Sequence, residues 1–310
     1  MPRQRKGSPF GFITTDDNMS LRYGVWYSRI ENRRGSILLL SGRREFMEKY
    51  TETVNELNEK GFDVYSFDWR GQGLSTRLLA NRHKGFIDSY STYLKDLDMF
   101  VKNIVQPEAA LPLFILAHSM GGHIALRYLH DHPGTADKAI LVSPMIDILT
   151  PPFPRLLIRF MVNLALISGL NDAYTVGSGD YNPDIPFEGN RLTSDPHRFM
   201  DEKKILSETP DLRLGGITYG WLSATFKSID ILNGTGFAET ITTPILIVSS
   251  GDDRIVSLSA QRHISRRLKN CSLTEIPDAR HEILVETDAI RAIFWEMFDS
   301  FAGIADVGSR

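Results

Sequence analysis

Apolar positions along the chain follow two rhythms. Short, nearly continuous apolar runs stand at 37–40, 64–67, 113–117, 139–142 and 244–248, and runs of that kind are strands buried on both faces. Between two of them, Tyr90, Tyr93, Leu94, Leu97, Val101 and Ile104 recur at helical spacing, and Ile290, Ile293, Phe294 and Met297 repeat that pattern near the C-terminus. Buried strands alternating with amphipathic helices predict an α/β protein with a mostly parallel central sheet and flanking helices. Residues 10–27 alternate loosely around Asp16-Asp17-Asn18, which predicts an antiparallel hairpin at the sheet edge.

The rhythm breaks once. From about 147 to 243 no strand of similar quality occurs, and prolines and glycines are frequent. Within this stretch, Arg155, Arg159 and Asn163 form one thin polar stripe on a segment, 153–170, that is otherwise nearly all apolar. A helix greasy over most of its circumference is expected either to be buried in a core or to face a greasy ligand.

Composition narrows the class without changing that picture. The 310 residues are 42% hydrophobic and 24% charged, with a net charge of −3, as in an ordinary soluble globular protein. No basic footprint argues for nucleic acid. The N-terminal MPRQRKGSPF has a positive start but not the apolar stretch of roughly 7–15 residues that makes an export signal. A basic tail can touch an anionic membrane surface transiently; a soluble terminus is the reading favoured here. Cys271 is the only cysteine, so no intramolecular disulfide forms and a reducing cytoplasm is compatible. The charge-free part of 153–170 is well short of the about 20 residues a membrane-spanning helix needs.

The chemistry enters at ILAHSMGG, residues 115–122. A strand runs into Ser119, and a helix pattern (Ile124, Ala125, Tyr128, Leu129) follows at once. A serine on such a sharp turn has its hydroxyl thrust above the sheet, and small residues are needed two positions to either side. Gly121 meets that need, Ala117 adds one methyl group, and Gly122 lets the helix approach the strand. A nucleophilic serine needs a base and an acid to orient it. PILIVSSGDDRIV supplies Asp252 and Asp253 after a strand, and IPDARHEILVE supplies His281 before the last helix. Ser, Asp, His is the chain order of a triad on a doubly wound sheet. Acyl transfer also needs two donors for the oxyanion. The backbone N–H groups of Met120 and of Arg43, in LLLSGRREF, are the candidates.

These residues together resemble the α/β-hydrolases of the serine aminopeptidase S33-like group, and within it the monoacylglycerol lipases and bacterial lysophospholipases. The resemblance rests on SGRREFMEKY (41–50), FDWRGQGLSTR (67–77), AHSMGG (117–122), DDRIV (252–256) and ARHEIL (279–284), and spans residues 10–302. It implies Ser119 as nucleophile, His281 as base, and Asp253 rather than Asp252 as acid. It implies an α/β-hydrolase core of 1–146 and 236–310 with an inserted helical cap, or lid, at 147–235. Phe153, Leu156, Leu157, Phe160 and Met161 would then meet the acyl chain. Two departures stand out: Ala117 replaces the first elbow glycine, and Ser41 replaces the histidine that commonly precedes Gly42.

The implied reaction is hydrolysis of a single-acyl-chain lipid ester, a lysophospholipid or a monoacylglycerol, with no metal or organic cofactor. The implied setting is cytoplasmic, peripheral to the inner membrane surface. Arg43, Arg44, Arg254 and Arg280 neighbour the catalytic loops and could grip a phosphate head group; otherwise they pair with Glu45, Asp252 and Glu282 or point to solvent. A proline iminopeptidase-like or other small-ester or amide hydrolase on the same triad, and a ligand-binding relic without turnover, are the alternatives. His118, His123, His130 and His132 cluster in sequence but lack a completing carboxylate, so they read as structural rather than metal-binding. Gly71-Gln72-Gly73 and Gly234-Thr235-Gly236 read as turns, and Asp68 and Arg70 as residues that fix a loop.

Overall fold

A computed structural model describes residues 8–150 and 152–304; most of the basic N-terminus lies outside the described residues. The hairpin and the five apolar runs become the strands β1 (Phe10–Thr14), β2 (Ser20–Trp26), β3 (Gly35–Leu40), β4 (Phe62–Phe67), β5 (Leu113–His118), β6 (Lys138–Val142) and β7 (Ile245–Ser250), and β8 (Cys271–Ile276) follows them. They form one eight-stranded sheet in the order β1-β2-β4-β3-β5-β6-β7-β8. From β4 to β8 all neighbours are parallel. The hairpin β1–β2 adds the antiparallel edge, its turn closed by Asn18 in the left-handed region at φ 61°, a conformation asparagine tolerates better than most residues.

Side chains alternate across each strand, so the sheet has two apolar faces. Ile37 and Leu39 join one layer, with Val54 and Leu57 of α1 (Thr51–Glu59) and Phe294 and Phe298 of α9 (Asp288–Ala302). Leu38 and Leu40 join the other layer, beneath α2 (Tyr90–Phe100), α3 (Met120–Asp131) and α8 (Leu258–Arg267).

Between β6 and β7 the chain leaves the sheet. It forms α4 (Arg155–Ile167), α5 (Pro196–Glu208), α6 (Tyr219–Asn233) and the short α7 (Phe237–Thr240). Val162 of α4 packs with Leu222 and Phe226 of α6, while Leu206 and Leu212 pack on Phe46 of the loop after β3.

The greasy segment does not behave as core. Leu156 is 82% exposed, Phe160 64% and Ile167 85%; within α4 only Val162 and Ala165 are buried. The polar stripe explains the inversion. Arg159 makes a two-pronged ion pair with Asp230 of α6, at 2.6 and 2.8 Å, and the guanidinium groups of Arg155 and Arg159 lie over Phe226. Arg155 and Arg159 therefore reach toward α6 beside Val162, while Leu156, Phe160 and Ile167 face out.

Candidate active site

Ser119 follows β5 directly and caps α3, at φ 50° and ψ −113°. That backbone costs about 1–3 kcal/mol and persists only where its surroundings hold it. Here they do: the Ser119 N–H donates to the Val142 carbonyl (3.0 Å), and the Ser119 carbonyl accepts from Met145 N–H (2.9 Å) and His123 N–H (3.1 Å). A side chain at Gly121 would stand 2.4 Å from the Leu40 carbonyl oxygen, and one at Gly122 2.8 Å from the Pro144 side chain. Both glycines are therefore required by close approach. Ala117 is fully buried and packs with the core layer under α3, so the extra methyl group is absorbed by the core.

Asp253 and His281 emerge from the loops after β7 and β8 and meet Ser119. His281 Nε2 lies 2.9 Å from Ser119 Oγ, and its Nδ1 lies 2.7 Å from Asp253 Oδ2. The other oxygen of Asp253 accepts the N–H groups of Ile255 (2.8 Å) and Val256 (3.0 Å). Burial pushes the Asp253 carboxyl up, but the bond from His281 and these two N–H groups hold it below its ordinary value. Asp252 instead faces solvent and pairs with Arg254 at 3.1 Å, so the geometry separates the two aspartates.

The loop after β3 brings Arg43 beside the elbow. Its neighbours' N–H groups are occupied: Gly42 donates to Glu45, and Arg44 donates to Gln72. Among the described residues, the N–H groups of Arg43 and Met120 donate to no protein acceptor. Met120 opens α3, where the helix dipole adds partial positive charge. Such an arrangement can stabilise an oxyanion while His281 draws a proton from Ser119.

The remaining predicted contacts scatter. Phe153 is 53% exposed, Leu157 43% and Met161 37%, all part of the outward apolar surface of α4 or its approach. Arg254 is exposed and engaged by Asp252. Arg280 donates to the Thr193 and Asn190 carbonyls, at 2.9 and 3.4 Å. Arg43 donates from its guanidinium to the Gly215 carbonyl (2.6 Å) and lies over Trp221; among the described residues no carboxylate pairs with it, and burial lowers its pKa to about 10. Arg44 sits with φ 69° in the loop turn.

Of the sequence-clustered histidines, His123 is buried against Met145 and Ser228, and His130 stacks on Phe237. His118 points elsewhere, to the backbone of His281. Glu45 was expected only as a partner for the arginines and Gln72 only as part of a turn, yet both tie down the loop after β3 by accepting its N–H groups. Asp68 does fix a loop: it accepts the N–H groups of Met47 and Leu74, and burial raises its pKa to about 6.

Fold and hydrogen-bonded Ser–His–Asp chain define a protein of the α/β-hydrolase class. The chain belongs to the family described as serine aminopeptidase, S33, whose sequence model matches residues 31–288. It is 33% identical to lysophospholipase L2 of Escherichia coli (strain K12) over 300 residues, covering 94% of this chain and 85% of the relative. It is 30% identical to probable lysophospholipase L2 of Haemophilus influenzae over 284 residues, 91% of this chain and 88% of that one. A soluble variant of monoglyceride lipase from Saccharomyces cerevisiae, solved with a substrate analog, superposes with a TM-score of 0.75. It is 20% identical, with 97% of each chain covered, and that likeness speaks to fold alone.

Proposed function

We propose that this protein hydrolyses the ester of single-acyl-chain lipids, a lysophospholipid or a monoacylglycerol, through an acyl-enzyme on Ser119. The observation that carries the reading is the unbroken hydrogen-bonded chain from Asp253 through His281 to Ser119, beside the two N–H groups of Met120 and Arg43. His281, oriented by Asp253, takes the Ser119 proton as the hydroxyl attacks the ester carbonyl. The two N–H groups hold the oxyanion. The leaving alcohol takes the proton from His281, and water then cleaves the acyl-enzyme by the same route.

The names borne by the relatives support the lipid substrate. In this reading 147–235 is a cap on a core of 1–146 and 236–310. The outward apolar surface of α4, with Phe153, Leu156, Leu157, Phe160 and Met161, then meets acyl chains at a membrane surface on the cytoplasmic side. No helix among the described residues is long and apolar enough to cross a membrane, so such contact is peripheral. Arg43, a guanidinium without a carboxylate partner among the described residues, is suited to a phosphate head group. A peptidase would need a carboxylate for the substrate amine. Asp253, Glu45 and Glu282 are held by His281, His118 and Lys49.

Fatty-acid release from a lysophospholipid and a monoacylglycerol bearing the same acyl chain, with Ser119→Ala beside the wild type, tests the reading. Release that the variant abolishes supports it, and the preferred substrate fixes the head group. No release of either, from protein labelled at Ser119 by a fluorophosphonate, would refute the substrate class.

A further inference from the structure

Behind His281 lies a buried cluster of charged groups that the proposed reaction does not use. Glu45, in the loop after β3, accepts the N–H of Gly42 and the hydroxyl of Tyr50 (2.6 Å) on one oxygen. Its other oxygen lies 2.9 Å from Nδ1 of His118. Across the ring, His118 Nε2 donates to the backbone carbonyl of His281, at 3.1 Å. Lys49 sits on the same cluster, 2.7 Å from Glu282, 2.8 Å from Glu202 of α5 and 3.7 Å from Glu45. The side chains of His118, Glu45 and Lys49 are 2%, 3% and 4% exposed.

The protonation state follows from the acceptors. A carbonyl oxygen only accepts, so His118 Nε2 carries a proton. Nδ1 lies 2.9 Å from a carboxylate oxygen, close but not aimed at it as a hydrogen bond; a bare nitrogen there would be repelled, and a proton on it makes the contact an ion pair. With both nitrogens protonated, His118 is an imidazolium. Burial, the largest single influence, pushes such a group toward neutrality, but the charge and hydrogen bond of Glu45, the charge of Glu282 and the His281 carbonyl together outweigh it and raise the His118 pKa. Glu45 is held ionised in turn by His118 and Lys49 despite its burial. The titratable groups facing the pair are thus Lys49, Tyr50, Glu202, His281 and Glu282. Gly42 belongs to the same construction: a side chain there would stand 2.8 Å from the Glu45 carboxylate and 3.0 Å from His118.

We propose that His118 is a positioning residue for the hydrolytic reaction. As an imidazolium paired with Glu45 it pins the backbone of His281, while the same carboxylate pins Gly42, so one buried ion pair sets both the base and the Arg43 N–H. In this chain Ser41 stands where a histidine often precedes Gly42, and the Glu45–His118 pair supplies a fixed polar partner for that loop. The inference rests on the reading of His281 as base and Arg43 as oxyanion donor.

His118→Gln removes the cation and leaves Glu45. With the His281 backbone released, kcat should fall about 10–100-fold with KM little changed. Glu45→Gln, close to isosteric, should give a similar kcat loss and keeps the test usable if His118→Gln does not fold. A purely structural role would lower the fraction of sites that a fluorophosphonate labels and leave kcat per labelled site unchanged.

The charge state is read without any turnover by 15N NMR of the wild-type histidine rings at pH 8. Two protonated nitrogens on His118 support the proposal, and one pyridine-type nitrogen overturns it. Fluorophosphonate labelling separates the two readings. Wild type that does not label at Ser119 defeats the hydrolase reading. Wild type that labels, with both variants keeping its kcat per labelled site, defeats this inference alone.

Discussion

Gly121→Ala probes the junction on which the whole site depends. The new Cβ would lie 2.4 Å from the Leu40 carbonyl oxygen and 2.7 Å from that of Ser41, where ordinary contact begins near 3.4 Å. The clash is with backbone, not with a side chain that can swing away. Either α3 or the end of β3 must therefore retreat by about 1 Å. Overpacking of this kind costs roughly 1–3 kcal/mol, a fall in Tm of roughly 2–10 °C for a chain of this size. The functional loss should be larger. Helix α3 begins with Met120 and is capped by Ser119, and β3 leads into the loop with Arg43, so the retreat widens the gap between the Ser119 hydroxyl and the Arg43 N–H. A misplacement of about 1 Å is worth on the order of 100-fold in rate. The assay is steady-state ester hydrolysis beside thermal denaturation. Gly179→Ala serves as control, since a Cβ at Gly179 meets nothing within 4 Å. Wild-type kcat and Tm in Gly121→Ala would refute the close-approach argument.

Asp253→Asn should lower kcat by roughly 10⁴-fold, because an amide cannot fix the His281 tautomer, whereas Asp252→Asn should stay within about twofold; equal losses would show that the two aspartates were assigned wrongly. Leu156→Asp and Phe160→Glu should shift stability by no more than about 0.5 kcal/mol, since both positions are exposed. Activity on aggregated lipid should fall more than activity on a dispersed short-chain ester, and equal falls would count against α4 as a lipid contact.

Which features were legible in the sequence has a physical pattern. Parallel strands are buried on both faces, so 37–40 and 113–117 announce themselves as apolar runs; the ends of β3 and β5 differ from them by only one or two residues. The elbow was legible because steric need restricts its neighbours to small residues. The direction α4 faces was not. Periodicity reports how much of a helix is apolar, whereas its orientation here follows from Asp230 and Phe226 on α6, some seventy residues away. The buried cluster was hidden for a related reason. His118 and His123 are five positions apart, but one ends a strand and the other lies inside a helix, so their rings serve different partners.

Backbone strain marks the same place independently of any motif. Among the described residues, four non-glycine residues have positive φ: Asn18, Arg44, Ser119 and Ser143. Asn18 closes the edge hairpin. The other three follow the carboxyl ends of β3, β5 and β6, and Asp253 and His281 follow those of β7 and β8. In an open parallel sheet that edge is where loops diverge and a ligand can enter. Each strained residue is also tied down: Arg44 N–H by Gln72, Ser119 N–H by Val142, and Ser143 N–H by Val248 at 2.8 Å. Strain that is this heavily restrained and confined to one edge is not scattered packing error. It is the cost of presenting a hydroxyl and two N–H groups at fixed positions above the sheet, and the eight-stranded scaffold supplies the stability that offsets it.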